Sequence, residues 1–177
     1  MEKRSIGLWQ FVGFGVVSLL GTLLHFLFDW AGGTVWSAIF SAVNESTWEH
    51  MKLLFFPLLI FAVVEWFFFG DIYTAFWCVK LKGTLLGMIL IPTIFYTLNG
   101  VFGKTPDWVN ISIFFVTTAI VFLYEYVAFI KEPVCLFPKL AFGILCLVAL
   151  LFIFFTFKTP NIPLFQDPIT GTYGYQG

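Results

Sequence analysis

Apolar residues fall into five long runs along the chain, and short polar segments separate these runs. The runs are Ile6–Trp30, Met51–Phe69, Leu81–Leu98, Trp108–Ile130 and Leu136–Phe157. An α-helix needs about 20 apolar residues to cross ~30 Å of hydrocarbon, and these runs lack the polar and apolar alternation of barrel strands. The pattern therefore predicts an all-α polytopic membrane protein with five transmembrane helices.

Two shorter stretches do not fit a membrane span. Thr34–Val43 is too short to cross and has larger apolar residues on one helical face and small residues on the other, which predicts an outer interfacial or re-entrant helix. Ile72–Val79 is expected to lie along the inner interface. A helix that began at Asp71 would bring Lys80 and Lys82 into the membrane, where charged side chains are costly.

The composition agrees with a lipid environment and excludes other classes of protein. Hydrophobic residues make up 60% of the chain and charged residues 11%, whereas soluble domains carry about 25% charged residues. The net charge of −1 leaves no basic surface for nucleic acid. The expected partners are membrane lipids and either a second copy of the chain or a larger membrane complex. We predict one transmembrane domain over residues 1–157 and an extracytoplasmic tail over residues 158–177.

The distribution of basic residues predicts that the N-terminus is inside and the C-terminus outside. This orientation gives six basic residues inside, namely Lys3, Arg4, Lys80, Lys82, Lys131 and Lys139. Three lie outside, namely Lys52, Lys104 and Lys158. The excess inside follows the positive-inside rule. Cys78, Cys135 and Cys146 then fall at the inner face or within a span, where no disulfide is expected.

Both histidines lie near the predicted outer face. His25 and Asp29 are four residues apart and share one face of the first helix, and the polar segment Asn44–His50 leads into the second span. We assign His25, Asp29, Glu49 and His50 as catalytic candidates, with His25, Asp29 and His50 as metal ligands. Asn44, Glu45, Trp48, Asp167 and Tyr173 are the ligand-binding candidates. Imidazole and carboxylate ligands suit zinc or another divalent metal, although the spacing matches no established zinc signature.

Ordinary helix capping is an alternative explanation for part of this segment. Ser46 and Glu49 have the spacing of a capping box, and Asn44 suits a left-handed residue at the end of the preceding helix. For His25 and Asp29 the alternative is a simple hydrogen-bonded pair between helices. A metal-free site in which the histidines transfer protons is also open.

A second polar group, Glu65 and Glu125, lies near the predicted inner face. The two carboxylates either face each other and share a proton or pair with Lys80, Lys82 or Lys131. In the alternative, they are separate and hydrogen-bonded to Tyr124 and Tyr126.

The C-terminal segment from Lys158 to Gly177 is rich in turn-forming proline and glycine. It is either a loose end or a lid over the outer polar group. As a lid, it would add Asp167 as a hydrogen-bond acceptor, and Leu164 and Phe165 would anchor it in the interface.

The segment Asn44–Lys52, together with His25 and the tail residues 167–174, resembles a family of small bacterial integral membrane proteins of unknown function. This resemblance implies a bacterial inner membrane and brings no activity with it. A more distant similarity, in site chemistry alone, is to intramembrane metal hydrolases of the alkaline ceramidase and adiponectin receptor type.

Three functions agree with these features. The first is a membrane protein whose outer site binds a metal or a small polar or lipid ligand, in enzymatic form a metal-assisted hydrolase of a lipid ester or amide. The second is a proton-coupled transporter that uses the outer and inner carboxylates. The third is a non-catalytic membrane subunit or accessory factor.

Overall fold

The computed structural model describes residues 3–176 and the side chains of residues 5–176. Its elements are α1 (Lys3–Trp30), α2 (Val35–Phe40), α3 (Thr47–Phe69), α4 (Phe76–Phe102), α5 (Asp107–Lys131), α6 (Pro138–Phe157) and the short 3-10 helix η1 (Pro163–Phe165). Within the described residues, five helices are long and apolar enough to cross a membrane. The remaining α-helix, α2, has only six residues. The predicted all-helical fold class is confirmed.

Helix α3 lies at the centre of the bundle. It packs mainly against α1 and α4 and also contacts α2, α6 and η1, while α5 packs between α1 and α4. Residues 51–58 of α3 are all buried, as expected for a segment that is surrounded by protein, whereas Ile60, Val64 and Phe67 in its second half are exposed. Large exposed side chains such as Phe11, Leu123 and Leu150 cover the outside of the bundle, which is the surface that acyl chains would contact.

The bundle has two ends. The tail end carries the α1–α2–α3 connection and the C-terminal tail. The disulfide end carries the α3–α4 turn and the α5–α6 loop, where Cys78 and Cys135 are bonded. The prediction that no disulfide forms is therefore wrong: α4 and α5 are packed neighbours, so residues 57 positions apart in sequence meet at this end.

The short helix α2 lies where the sequence predicts it. Thr34 caps it, since its Oγ1 accepts a hydrogen bond from the Ser37 amide at 3.3 Å. Ser37 and Ala38 face the protein and are buried, whereas Trp36 is 78% exposed. The small-residue face therefore packs on the bundle, and the bulkier face is left for lipid or interfacial water.

Helix α4 begins earlier than the sequence predicts. It starts at Phe76 rather than Leu81, so the expectation that the whole of Ile72–Val79 lies along the interface is wrong. The physical reason is that Lys80 does not face lipid. It is 3% exposed and pairs with buried glutamates inside the bundle, which offsets part of the cost that the sequence argument assigned to it.

Two lysines counted in the orientation argument are buried in helices. Lys52 and Lys80 are 0% and 3% exposed, so neither belongs to a loop at the membrane surface. Without them, the predicted orientation has five basic residues inside and two outside. The side chains of Lys3 and Arg4, which belong to this count, lie outside the described residues. The lysine excess is typical of a cytoplasmic face, whereas a disulfide is typical of an oxidising compartment. The orientation therefore stays a prediction.

Candidate metal centre

Three elements at the tail end bring the two histidines and one glutamate together. His25 comes from the last turns of α1, Glu45 from the α2–α3 loop and His50 from the first turn of α3. The Nε2 atom of His25 lies 3.9 Å from Glu45 Oε1, and that of His50 lies 3.5 Å from Glu45 Oε2. One ligand atom from each residue lies within 4.8 Å of the other two.

The backbone fixes the orientation of the His50 ring. Its Nδ1 lies 2.9 Å from the carbonyl oxygen of Ser46, and because a carbonyl only accepts, Nδ1 carries the hydrogen. In the neutral ring the lone pair is then on Nε2, the atom that faces Glu45. Metal-binding histidines almost always donate their other N–H group in this way.

The geometry fits a tetrahedral ion with modest adjustment. Ligand atoms about 2.0–2.1 Å from a tetrahedral zinc lie ~3.4 Å apart, close to the two observed histidine-to-glutamate distances. The His25, His50 and Glu45 side chains are 33%, 31% and 41% exposed. The group is therefore half-buried, with one side open for a water molecule or a substrate.

Local turns hold Glu45 in position. The side-chain oxygen of Asn44 accepts a hydrogen bond from the Ser46 amide at 3.0 Å, which is the geometry of an Asx turn. The amide group of Asn44 donates to the carbonyl of Gly174 in the tail at 3.3 Å. The backbone N–H of Glu45 is itself bonded to the carboxylate of Asp167.

The C-terminal tail packs over this loop. Phe165 is buried against Trp48, with ring centroids 4.7 Å apart, and the Tyr175 hydroxyl donates to the carbonyl of Gly33 at 3.0 Å. Gly174 has a positive φ of +59°, and a Cβ there would collide with Thr159. The tail is therefore a folded element with a glycine-dependent fit.

Asp167 organises the turn of the tail. Its carboxylate accepts hydrogen bonds from the amides of Ile169 and Thr170 and from the Thr170 hydroxyl. Burial alone would raise the pKa of Asp167, but these hydrogen bonds and that from Glu45 outweigh it and lower the pKa below its usual value. Asp167 supports the backbone of Glu45, so it acts on the candidate site through that residue.

Two predicted metal or catalytic residues lie apart from the three ligand atoms. Asp29 is exposed and is not one of the residues whose ligand atoms converge in the described part of the chain, although its charge acts on His25. Glu49 is 2% exposed and pairs with Lys52 at 2.5 Å. It also accepts a hydrogen bond from the Thr156 hydroxyl at 3.1 Å. The Glu49 carboxylate is therefore already bound to a buried lysine.

The other ligand-binding candidates hold the tail or the loop. Asn44 makes the contacts described above, and Trp48 stacks among Phe152, Phe155 and Phe165. Tyr173 pairs with Gln166 in an isolated antiparallel bridge. These residues build the support around Glu45.

The capping prediction is half right. Ser46 accepts the Glu49 amide at 3.4 Å as an N-cap, but the Glu49 side chain does not return to Ser46, whose amide is taken by Asn44. The expectation that Asn44 is left-handed is wrong. Among the described residues, Glu132 is the one non-glycine residue with a positive φ, so Asn44 does not have a left-handed backbone.

At the disulfide end, Glu65 and Glu125 are joined through a lysine. Lys80 contacts both carboxylates, with its Nζ 2.5 Å from Glu125 Oε2, and Gln10 donates to Glu65 Oε1 at 2.6 Å. The prediction that the two glutamates pair with Lys80 is confirmed. The alternative, in which they are separate and hydrogen-bonded to Tyr124 and Tyr126, is wrong.

Sequence reasoning missed Gln10, Lys52 and Thr156 as parts of buried polar networks. Gln10 is an isolated polar residue in an apolar run, and that isolation was the available signal, whereas Lys52 and Thr156 lie at the edges of polar segments, close to Glu49 and Lys158. Their long-range partners are 55 to 107 positions away, so this part of the pairing is a property of the folded bundle.

Comparison with known proteins places this site in a wider context. The whole of residues 1–175 matches the model of a family described as a family of unknown function (DUF6512). The chain belongs to this family. A search of curated proteins and a search of solved structures gave no match. The predicted resemblance to a family of unknown function is confirmed, and the match includes every residue of the candidate site.

Proposed function

We propose that this membrane protein binds a divalent metal ion of the zinc type at the tail end of its bundle, with His25, Glu45 and His50 as ligands. The observation that carries this proposal is the convergence of their ligand atoms within 4.8 Å. The Nδ1 hydrogen bond of His50 to Ser46 supports it, because it leaves Nε2 free to bind.

The donor set favours a reactive site over a purely structural one. Two histidines and one glutamate leave a fourth tetrahedral position open, as in catalytic zinc sites, whereas structural sites fill all four positions with protein. The site lies where α1 ends and α3 begins, at the ends of two helices that are long and apolar enough to span a membrane. In its enzymatic form the proposal is hydrolysis of a lipid ester or amide, with the ion polarising the carbonyl.

The carboxylate that assists such a reaction is Asp29 in this proposal. Glu49 is bound to Lys52, and Glu45 is occupied as a ligand. Asp29 is exposed one helical turn from His25, so its carboxylate is open to solvent and is available to accept a proton.

Metal content of the purified full-length chain in detergent tests the proposal. We expect about one zinc per chain after loading and removal of free metal. His25→Ala and His50→Ala should lose it, and Glu45→Gln should weaken it. Asp29→Asn is the matched control: it keeps the metal, and it lowers hydrolysis of a lipid ester probe if the enzymatic form is correct.

Zinc content that is equal in the wild type, His25→Ala and His50→Ala would contradict the proposal. Equal loss in Asp29→Asn would point to the ligand set predicted from the sequence instead. Because the imidazoles must be neutral to bind, affinity should also fall in acid.

A further inference from the structure

The buried polar cluster at the disulfide end has an excess of negative charge. Its members are Gln10 on α1, Glu65 on α3, Lys80 on α4 and Glu125 on α5. All four side chains are at most 3% exposed. If both glutamates were ionised, one ammonium group would face two carboxylates, and the cluster would carry a net charge of −1.

A second buried ion pair in the same molecule, that of Lys52 and Glu49, has equal positive and negative charge. Lys52 faces one carboxylate, that of Glu49, and its other donors reach the Ala38 carbonyl at 2.9 Å and the Thr156 hydroxyl at 3.0 Å. That network is neutral, and each hydrogen of the ammonium group has an acceptor. The Lys80 cluster has one carboxylate more.

The hydrogen bonds of the Lys80 cluster show the same deficit. Glu125 Oε1 and Gln10 Oε1 are buried acceptors for which the described residues supply no donor. Gly83 brings the backbone of α4 close to Glu125, since a Cβ there would lie 2.7 Å from Oε1. The cluster therefore leaves two buried acceptor oxygens without a hydrogen.

The surroundings do not supply the missing positive charge. Four aromatic rings, those of Phe61, Phe76, Phe122 and Phe129, surround the Lys80 ammonium group at 5.6–5.8 Å. The negative faces of such rings stabilise the lysine cation and not a second carboxylate. A net buried charge costs several kcal/mol, and such a group is neutralised by taking up a proton.

Other titratable groups at this end are two tyrosines, together with Lys82 and Lys131, which line a cavity there; among the described residues Lys80 is the lysine that pairs with the two glutamates. Tyr124 precedes Glu125 on α5, and Tyr73 lies in the α3–α4 turn, stacked on Phe129. Burial and then the charges of Glu132 and Glu65 raise the pKa of Tyr73. Both phenols are neutral at about pH 7, so neither changes the charge count.

We propose that Glu65, Lys80 and Glu125 form a proton-binding site in which the two glutamates share one proton at neutral pH. The proton neutralises the cluster and supplies a hydrogen to an unpartnered acceptor. A cavity of about 300 Å³ at the same end is lined in part by Val79 and Tyr124, the chain neighbours of Lys80 and Glu125, although the cluster residues themselves do not line it. Buried ionisable groups of this kind mark proton pathways in membrane proteins.

Infrared spectroscopy of the full-length chain in detergent tests this proposal. At about pH 7 exposed carboxyl groups are ionised, so the C=O stretching band of a protonated carboxyl reports on buried ones. We expect a band equal to one carboxyl in the wild type, shifted in D2O. Glu65→Gln and Glu125→Gln should each abolish it, because one glutamate then pairs with one lysine.

Lys80→Met should double the band, since both glutamates then lack a positive partner. Glu132→Gln, at the exposed end of the same helix, is the matched control and should leave the band unchanged. The wild-type spectrum decides even where a variant does not fold. Any of three results would overturn the proposal. The band could be absent from the wild type, it could persist in both glutamine variants, or it could be lost when sodium replaces choline in the buffer. Zinc content at the tail end has no bearing on this result.

Discussion

Single buried charges decide much of this structure. Lys52 joins α3 to the Ala38 carbonyl of α2 and to Thr156 of α6, and Glu49 neutralises it. The sequence indicates that such residues are out of place in an apolar run, but it does not name their partners. Glu49 lies three residues from Lys52 on the same helix, whereas Ala38 and Thr156 belong to α2 and α6 and become partners only when the helices pack.

We expect single substitutions in the Glu49 and Lys52 pair to be more harmful than the double substitution. Removal of one partner leaves a buried unpaired charge and costs about 3–5 kcal/mol. Lys52→Met should therefore lower the free energy of unfolding in detergent more than Glu49→Leu with Lys52→Met together. A double variant that loses the sum of the two single losses would contradict the pairing.

The candidate metal ligands were partly predictable at this scale. His25 and His50 lie near one face because they are at the end and the start of consecutive spans, and that inference needs only the span boundaries. The choice of Asp29 as a ligand rested on the helical repeat, which places it on the same face as His25. The helical repeat carries no information about the α2–α3 loop, which brings Glu45 to the two histidines.

At the scale of elements, the tail and the α2–α3 loop form one unit. Asn44 binds the Gly174 carbonyl, Asp167 binds the Glu45 backbone, and Phe165 packs on Trp48. Of the two expectations for the tail, folding back over the tail-end polar group agrees with these contacts. The turn chemistry of proline and glycine indicated a turn, whereas the docking contacts depend on residues more than 100 positions away.

The docking of the tail should weaken in acid. The pKa of Asp167 is lowered in the folded chain, so its contribution is fully present above the usual aspartate pKa of about 3.9 and is lost as the pH falls through the lowered value. Asp167→Asn should speed hydrogen exchange of residues 160–176 about tenfold near neutral pH, because hydrogen bonds to charged groups contribute ~1.5–3 kcal/mol.

The difference between Asp167→Asn and the wild type should shrink at low pH after correction for intrinsic exchange rates. Asp71→Asn, an exposed aspartate at the disulfide end, is the control and should not change exchange in the tail. A difference that stays constant from neutral to strongly acidic pH would show that the Asp167 charge does not hold the tail.

At the scale of the molecule, the apolar runs predicted the number and order of the spanning helices. The boundaries were less accurate, since α3 begins at Thr47 and α4 at Phe76. The error at α4 arose where Lys80 lies inside a helix, whereas α3 is longer by a polar first turn that Ser46 caps. A window that counts hydropathy treats such a lysine as a loop residue, whereas the bundle neutralises it internally.

The orientation has a direct test. A fluorescent protein that folds in the cytoplasm, fused after the C-terminus, should stay dark if the C-terminus is outside, as the lysine excess predicts. A fusion before the N-terminus is the matched control and should fluoresce. A bright C-terminal fusion would reverse the orientation and place the disulfide end on the oxidising side.

X-ray absorption at the zinc edge of the loaded full-length chain tests the central claim most directly. The account predicts two imidazole nitrogens from His25 and His50 and oxygen from Glu45 and water, with nitrogen at about 2.0–2.1 Å and no sulfur at about 2.3 Å. A spectrum dominated by sulfur, or one of oxygen alone without imidazole scattering, would contradict a site made of these three residues.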